Sequence, residues 1–148
     1  MKAKHGFTLV EILIVVVILG ILAAMVIPVF GQASTDAKTS ALASNLQKLR
    51  LQIELYKNHH NGHYPGAAGG VNTFDLTMTQ KTNLSGEVGV GTQYQYGPYL
   101  ERIPVNSFTG DNTVRIDTTP PGTGTGWHFN PSTGDFCADD DLNHAQNL

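Results

Sequence analysis

Residues Phe7 to Phe30 read FTLVEILIVVVILGILAAMVIPVF, an apolar run whose only charge is Glu11 and whose only other polar side chain is Thr8. At a rise of about 1.5 Å per residue, such a run makes a helix of ~36 Å, enough to cross a hydrocarbon core of ~30 Å. A chain of 148 residues then has room for that anchor and one modest domain behind it. A cleaved secretory peptide would carry a shorter apolar core, ~7–15 residues, and a small-x-small cleavage site, and this run fits neither description. Lys2 and Lys4 in front of the run place its N-terminal side in the cytoplasm by the positive-inside rule.

The position of Glu11 is the unusual feature. A carboxylate inside an apolar span costs ~2.5–3.5 kcal/mol at the bilayer centre, and less near the interface. It is tolerated where a partner neutralises it, or where the side chain snorkels to the headgroups. A new N-terminus at Phe7 would set an ammonium about one helical turn away.

Gly6, Phe7, Thr8, Leu9, Glu11, Gly20 and Pro28 together resemble the N-terminus of type IV pilins and of the pseudopilins of type II secretion. The resemblance implies a leader at residues 1–6, cut between Gly6 and Phe7 by a membrane aspartic prepilin peptidase that also N-methylates Phe7. It implies that Glu11 pairs with the Phe7 amine of a neighbouring subunit during assembly. It also implies that the helix between Gly20 and Pro28 loses helicity when subunits pack. From the residues alone, Pro28 removes one backbone donor and crowds the carbonyl of Ala24, so a kink is expected there.

Removing the leader takes away Lys2 and Lys4 and makes the net charge of −3 more negative by two. No basic patch suggests a nucleic-acid partner. The single cysteine, Cys137, excludes an intrachain disulfide, unlike those type IV pilins that close a C-terminal loop with one. That difference points toward a pseudopilin.

Beyond the span, residues 31–61 continue the helix as an amphipathic section. Leu42, Leu46, Leu49, Ile53 and Tyr56 fall at spacings of four, three, four and three, one stripe that must be buried. Asn61-Gly62 is a left-handed stop, followed by Pro65. His59, His60 and His63 are expected at a solvated helix end, not in a metal site, because no nearby Cys or carboxylate completes a ligand set. Residues 62–148 read as a loop-rich head. Residues 66–98 carry little pattern, although Val71 to Met78 suits a short helix or an extended segment. The segment GPYLERIPVNSFTG, Gly97 to Gly110, resembles the GPYL..IP.NP segment of minimal pseudopilin heads, with Ser107 where proline is common. Its Tyr99, Leu100, Ile103 and Phe108 are expected to cover the helix stripe. Asn112–Thr118 alternates as a strand, and Gly126–Asn130 and Asp135–Ala138 flank the turn Pro131–Gly134 as a hairpin. The expected fold is therefore α+β: a long N-terminal transmembrane and amphipathic helix packed against a small C-terminal antiparallel sheet.

No nucleophile, base and orienting group stand together in the sequence, and Cys137 with His128 is the only pair worth naming. A cysteine of this kind behaves as a small buried apolar residue. The glycines between 86 and 91 lack the following Lys-Ser/Thr of a phosphate loop. The resemblance also implies a calcium site in the C-terminal loops. This sequence lacks the longer loop and the Trp-Gly-x-Pro-Tyr motif of that site, so Asp135, Asp139, Asp140 and Asp141 are expected to form a solvated acidic tail. No cofactor, metal or enzymatic activity is expected.

The expected function is that of a structural subunit in a periplasmic filament that drives type II secretion. Its expected partners are itself, the prepilin peptidase, the membrane, the inner-membrane platform, the secretion ATPase and minor pseudopilins. The expected location is a single pass through the inner membrane with a periplasmic head. A type IV pilus subunit and a tethered periplasmic binding module are the alternatives.

Overall fold

The structure, a computed structural model, describes residues 6–66, 73–122, 124–140 and 144, with the backbone alone at 28–30. Lys2, Lys4, Val71, Asp141 and the side chain of Pro28 lie outside the described residues. Helix α1 runs from Leu9 to His59. The chain divides into two compact units, residues 1–37 and 38–148, and the second holds the head.

The head is organised on the stripe read from the sequence. Leu42, Leu46, Leu49, Ile53 and Tyr56 are all buried, in one core with Phe74, Met78, Leu100, Ile103, Trp127, Phe129 and Phe136. The helix ends as its sequence requires: Asn61 and Gly62 have φ of 53° and 85°. The Gly62 amide then returns to the Lys57 carbonyl at 2.9 Å, a Schellman closure.

A second helix, α2, spans Phe74–Thr79 and settles the open choice at Val71–Met78 for the described part. Thr73 caps it, and Phe74 and Met78 point into the core. The Met78 carbonyl accepts the amides of both Tyr99 and Leu100 at 2.9 Å, which fixes the start of the loop expected to cover the stripe. That loop does cover it: Tyr99, Leu100 and Ile103 are buried, and Phe108 is packed against the core. Ser107 donates its hydroxyl to the Lys38 carbonyl of α1 at 2.7 Å, a bond that proline could not make.

Three short strands follow, β1 Val114–Ile116, β2 Trp127–Phe129 and β3 Phe136–Ala138. β2 and β3 form the expected hairpin, with Trp127 opposite Ala138, His128 opposite Cys137 and Phe129 opposite Phe136. β1 corrects the expectation of an all-antiparallel sheet, because it pairs with β2 in parallel, Val114 beside Trp127 and Ile116 beside Phe129. The physical reason is the connection. Residues 117–126 are too long for a tight hairpin, and they carry the chain back so that β2 starts level with β1. Alternating apolar residues identify a strand but not its direction. The sheet is mixed, and the α+β class stands.

Candidate functional site

The N-terminal unit presents an exposed apolar surface. Large apolar side chains from Val10 to Ile27 are between 46% and 70% exposed, and Phe7 and Leu9 more so. This helix is long and apolar enough to cross a membrane. An apolar surface of this extent is covered by lipid or by other chains.

At its start, Thr8 and Glu11 form a reciprocal cap. The Glu11 carboxylate accepts the Thr8 amide and the Thr8 hydroxyl, both at 2.7 Å, and the Thr8 hydroxyl accepts the Glu11 amide at 3.2 Å. This is a capping box, and the Thr-x-x-Glu spacing that signals it stands in the sequence at 8–11. Reading Glu11 for its charge alone misses it. Gly6 and Phe7 are both exposed just before the cap, and a Cβ at Gly6 or at Gly20 would meet nothing within 4 Å.

The head places its polar residues differently from the sequence expectation. His60 extends the buried stripe by one more turn. It is fully buried, stacked on Tyr56 with ring centroids 3.8 Å apart, and its Nε2 lies 3.0 Å from the Thr82 hydroxyl. Burial pushes the His60 imidazole below its ordinary value and the Tyr56 phenol up to about 12. The solvated helix end is therefore corrected at His60, which a stacking partner and a hydroxyl make affordable inside. His59 instead meets the Tyr99 hydroxyl at 3.0 Å, and His63 the His60 carbonyl at 2.8 Å. Among the described residues, no group of three or more His, Cys, Asp or Glu is placed to hold a metal ion.

The acidic tail is also corrected. Asp139 is fully buried against the Arg115 guanidinium, at 3.0 Å through both oxygens. The Asp140 carboxylate lies 2.7 Å from His144. Asp135 remains exposed and accepts the Thr133 hydroxyl at 2.6 Å. Three described carboxylates thus turn to three different partners, and the partner of Asp139 sits on β1, 24 residues away in sequence.

Cys137 and His128 are cross-strand neighbours as expected, with Sγ 3.8 Å from Nδ1. His128 Nε2 is 3.1 Å from the Asp117 carboxylate, so in the neutral ring Nε2 carries the proton and Nδ1 faces the thiol as an acceptor. Both residues line a cavity of about 630 Å³ with Arg50, Glu54 and Thr118. The line Cys137–His128–Asp117 has the order of a nucleophilic site, but not its electrostatics. Burial, with Asp139 nearby, pushes the thiol up to about 11, which disfavours the thiolate that such chemistry needs.

An exposed membrane-length helix that begins in a capped, acidic turn and continues into a small α+β head defines a pilin-like, membrane-anchored subunit. Similarity to known proteins agrees along both parts. The model of the prokaryotic N-terminal methylation motif matches residues 1–27. The type II secretion system core protein G of Pseudomonas aeruginosa is 37% identical over 105 residues, 71% of this chain and 68% of that protein. The Vibrio cholerae core protein G is 31% identical over 111 residues, covering 75% of this chain and 70% of that protein. The Klebsiella pneumoniae protein of the same name is 29% identical over 111 residues, 75% of this chain and 74% of that one. No solved structure matches the chain significantly. The chain belongs to the type II secretion system core protein G family, the major pseudopilins.

Proposed function

We propose that this protein is a non-enzymatic structural subunit that is cut between Gly6 and Phe7, methylated at Phe7, and polymerised into a periplasmic filament driving type II secretion. Helix α1 holds the subunit in the inner membrane with its head in the periplasm until it is extracted. The apolar side chains from Val10 to Ile27 then exchange lipid for the same surface of neighbouring subunits, so the transfer leaves little apolar area in water. Extraction and docking use the inner-membrane platform and the secretion ATPase, with minor pseudopilins as further partners. Glu11 supplies the charge that recognises the amine of Phe7 on an adjoining subunit. Gly20 and Pro28 supply weak points where the helix can loosen during packing.

The observation that carries this reading is the similarity to core protein G, 29% and 31% identical over about three-quarters of the chain. Mass spectrometry of the mature protein tests it: the N-terminus should be methyl-Phe7 with residues 1–6 gone. An intact Met1, or a cut elsewhere such as after Ala24, would overturn it. A large residue in place of Gly6 should leave precursor in the membrane.

A further inference from the structure

The guanidinium of Arg115 sits in a ring of oxygens drawn from two separate stretches of the head. Nε and Nη2 grip Asp139 Oδ2 and Oδ1, each at 3.0 Å. Nη1 donates to Asp117 Oδ2 and, at 2.6 Å, to the Thr119 hydroxyl, while the second Nη2 hydrogen reaches the Pro120 carbonyl at 3.1 Å. All five N–H donors of the group are thereby used. The ring consists of carboxylate, hydroxyl and backbone carbonyl oxygens, the set that a hard divalent cation prefers.

Asp139 is committed further. It also accepts the Gly122 amide at 2.7 Å and the Thr125 hydroxyl, so one buried carboxylate ties residues 122 and 125 of the β1–β2 connection to the end of β3. The remaining oxygen of Asp117, Oδ1, is held by the Thr119 amide at 2.8 Å, the Thr119 hydroxyl and His128. A calcium ion within its usual ~2.3–2.6 Å of these oxygens would press against a cation already bonded to them. The donor set of Asp117 and Asp139 therefore does not fit the calcium that resemblance to major pseudopilins implies.

We infer that Arg115 is the resident cation of this loop, and that the head of this protein holds its C-terminal fold without calcium. The two carboxylates and one guanidinium do the cross-linking that a bound ion would do, with a cation that is covalently part of β1. Chelators do not remove it, and its charge persists at any pH where the head is folded. The inference is independent of whether the subunit polymerises.

The test is thermal melting of the full-length mature protein in detergent micelles, in millimolar calcium chloride and in EDTA, with calcium titration calorimetry beside it. The two melting temperatures should coincide, and calorimetry should show no saturable heat. A rise of about 4 °C or more in calcium, the size expected of a saturating ligand, would overturn the inference. Arg115→Gln should melt several degrees below the parent in EDTA, and Arg115→Lys in between, since a single ammonium cannot fork onto Asp139. A parent-like melt for Arg115→Gln would show that the guanidinium is not the cross-link.

Discussion

Helix α1 is one element made of two kinds of surface. Leu22 and Leu49 are the same residue in the same secondary structure, yet the first is 53% exposed and the second not at all. Around Leu22 every position is apolar, so no face is favoured and no partner within the chain is specified. Around Leu49 the buried residues keep to one stripe, and Lys48, Leu51 and Glu54 turn outward. The difference shows how one helix can be stable in two environments. Its first part is soluble only in something as apolar as itself, whereas its second carries a domain that satisfies it locally.

The largest test of this division falls on its one charged intruder. Glu11→Gln keeps a residue able to close the capping box with Thr8, because glutamine serves at that position, but it removes the charge. If the charge pairs with the Phe7 amine between subunits, losing it should cost ~3–5 kcal/mol, a drop of about a hundredfold or more in assembly equilibrium. Cleavage and membrane levels should be normal while recovery of sheared filaments collapses. Normal filament yield would make Glu11 only a cap.

Next in size is a matched pair of truncations. Leu49→Ala should destabilise the head by ~2–5 kcal/mol, read as a lower melting temperature. Leu22→Ala, at a half-exposed position outside the buried core, should leave the head melting unchanged. Equal effects would abolish the distinction between the two surfaces.

A smaller loss is expected at Gly134, whose φ is 85° and whose added Cβ would fall 2.2 Å from the Tyr64 ring. That ring is tied to both sides of the head, since its hydroxyl donates to the Thr133 carbonyl and accepts from Lys57. Gly134→Ala should cost ~1–2 kcal/mol from backbone conformation alone, more if Tyr64 is displaced, measured by denaturant titration.

The smallest effect is a pH slope. Burial lowers the folded-state pKa of His60 below its unfolded value, so the unfolded chain takes up the proton first. The stability this buried neutral ring contributes is fully present above about 6.5, the unfolded value, and is lost as pH falls below it. Melting temperature should decline from pH 7.5 toward 5.5, at values chosen to bracket about 6.5. His60→Gln should flatten that decline. An unchanged slope would assign it to another group.

What could be read from the sequence follows the range of each interaction. The stripe from Leu42 to Tyr56 is a local periodicity and stands in the spacing of the residues. The hairpin around Pro131–Gly134 is local too. His60 escaped because a histidine counts as polar until a ring to stack on and a hydroxyl to meet are known, and Thr82 lies 22 residues on. Asp139 escaped for the same reason: within its run of aspartates it reads as solvated surface, and only the fold brings Arg115 to it. The direction of β1 is set by a connection whose path no residue pattern announces. The Thr8–Glu11 cap is local and legible in its Thr-x-x-Glu spacing, although the charge of Glu11 is the more conspicuous signal.

The neutral thiol of Cys137 has a practical corollary. Burial, with Asp139 nearby, pushes its pKa up to about 11, so the sulfur stays protonated near neutral pH and is a poor nucleophile. If the heads pack side by side in an oxidising compartment, a more acidic thiol would leave them open to disulfide exchange through Cys137. Here that sulfur is a quiet background. Pairs of cysteines engineered onto the surface could map which faces touch in an assembled filament, with Cys137 left in place and without its contributing bonds of its own.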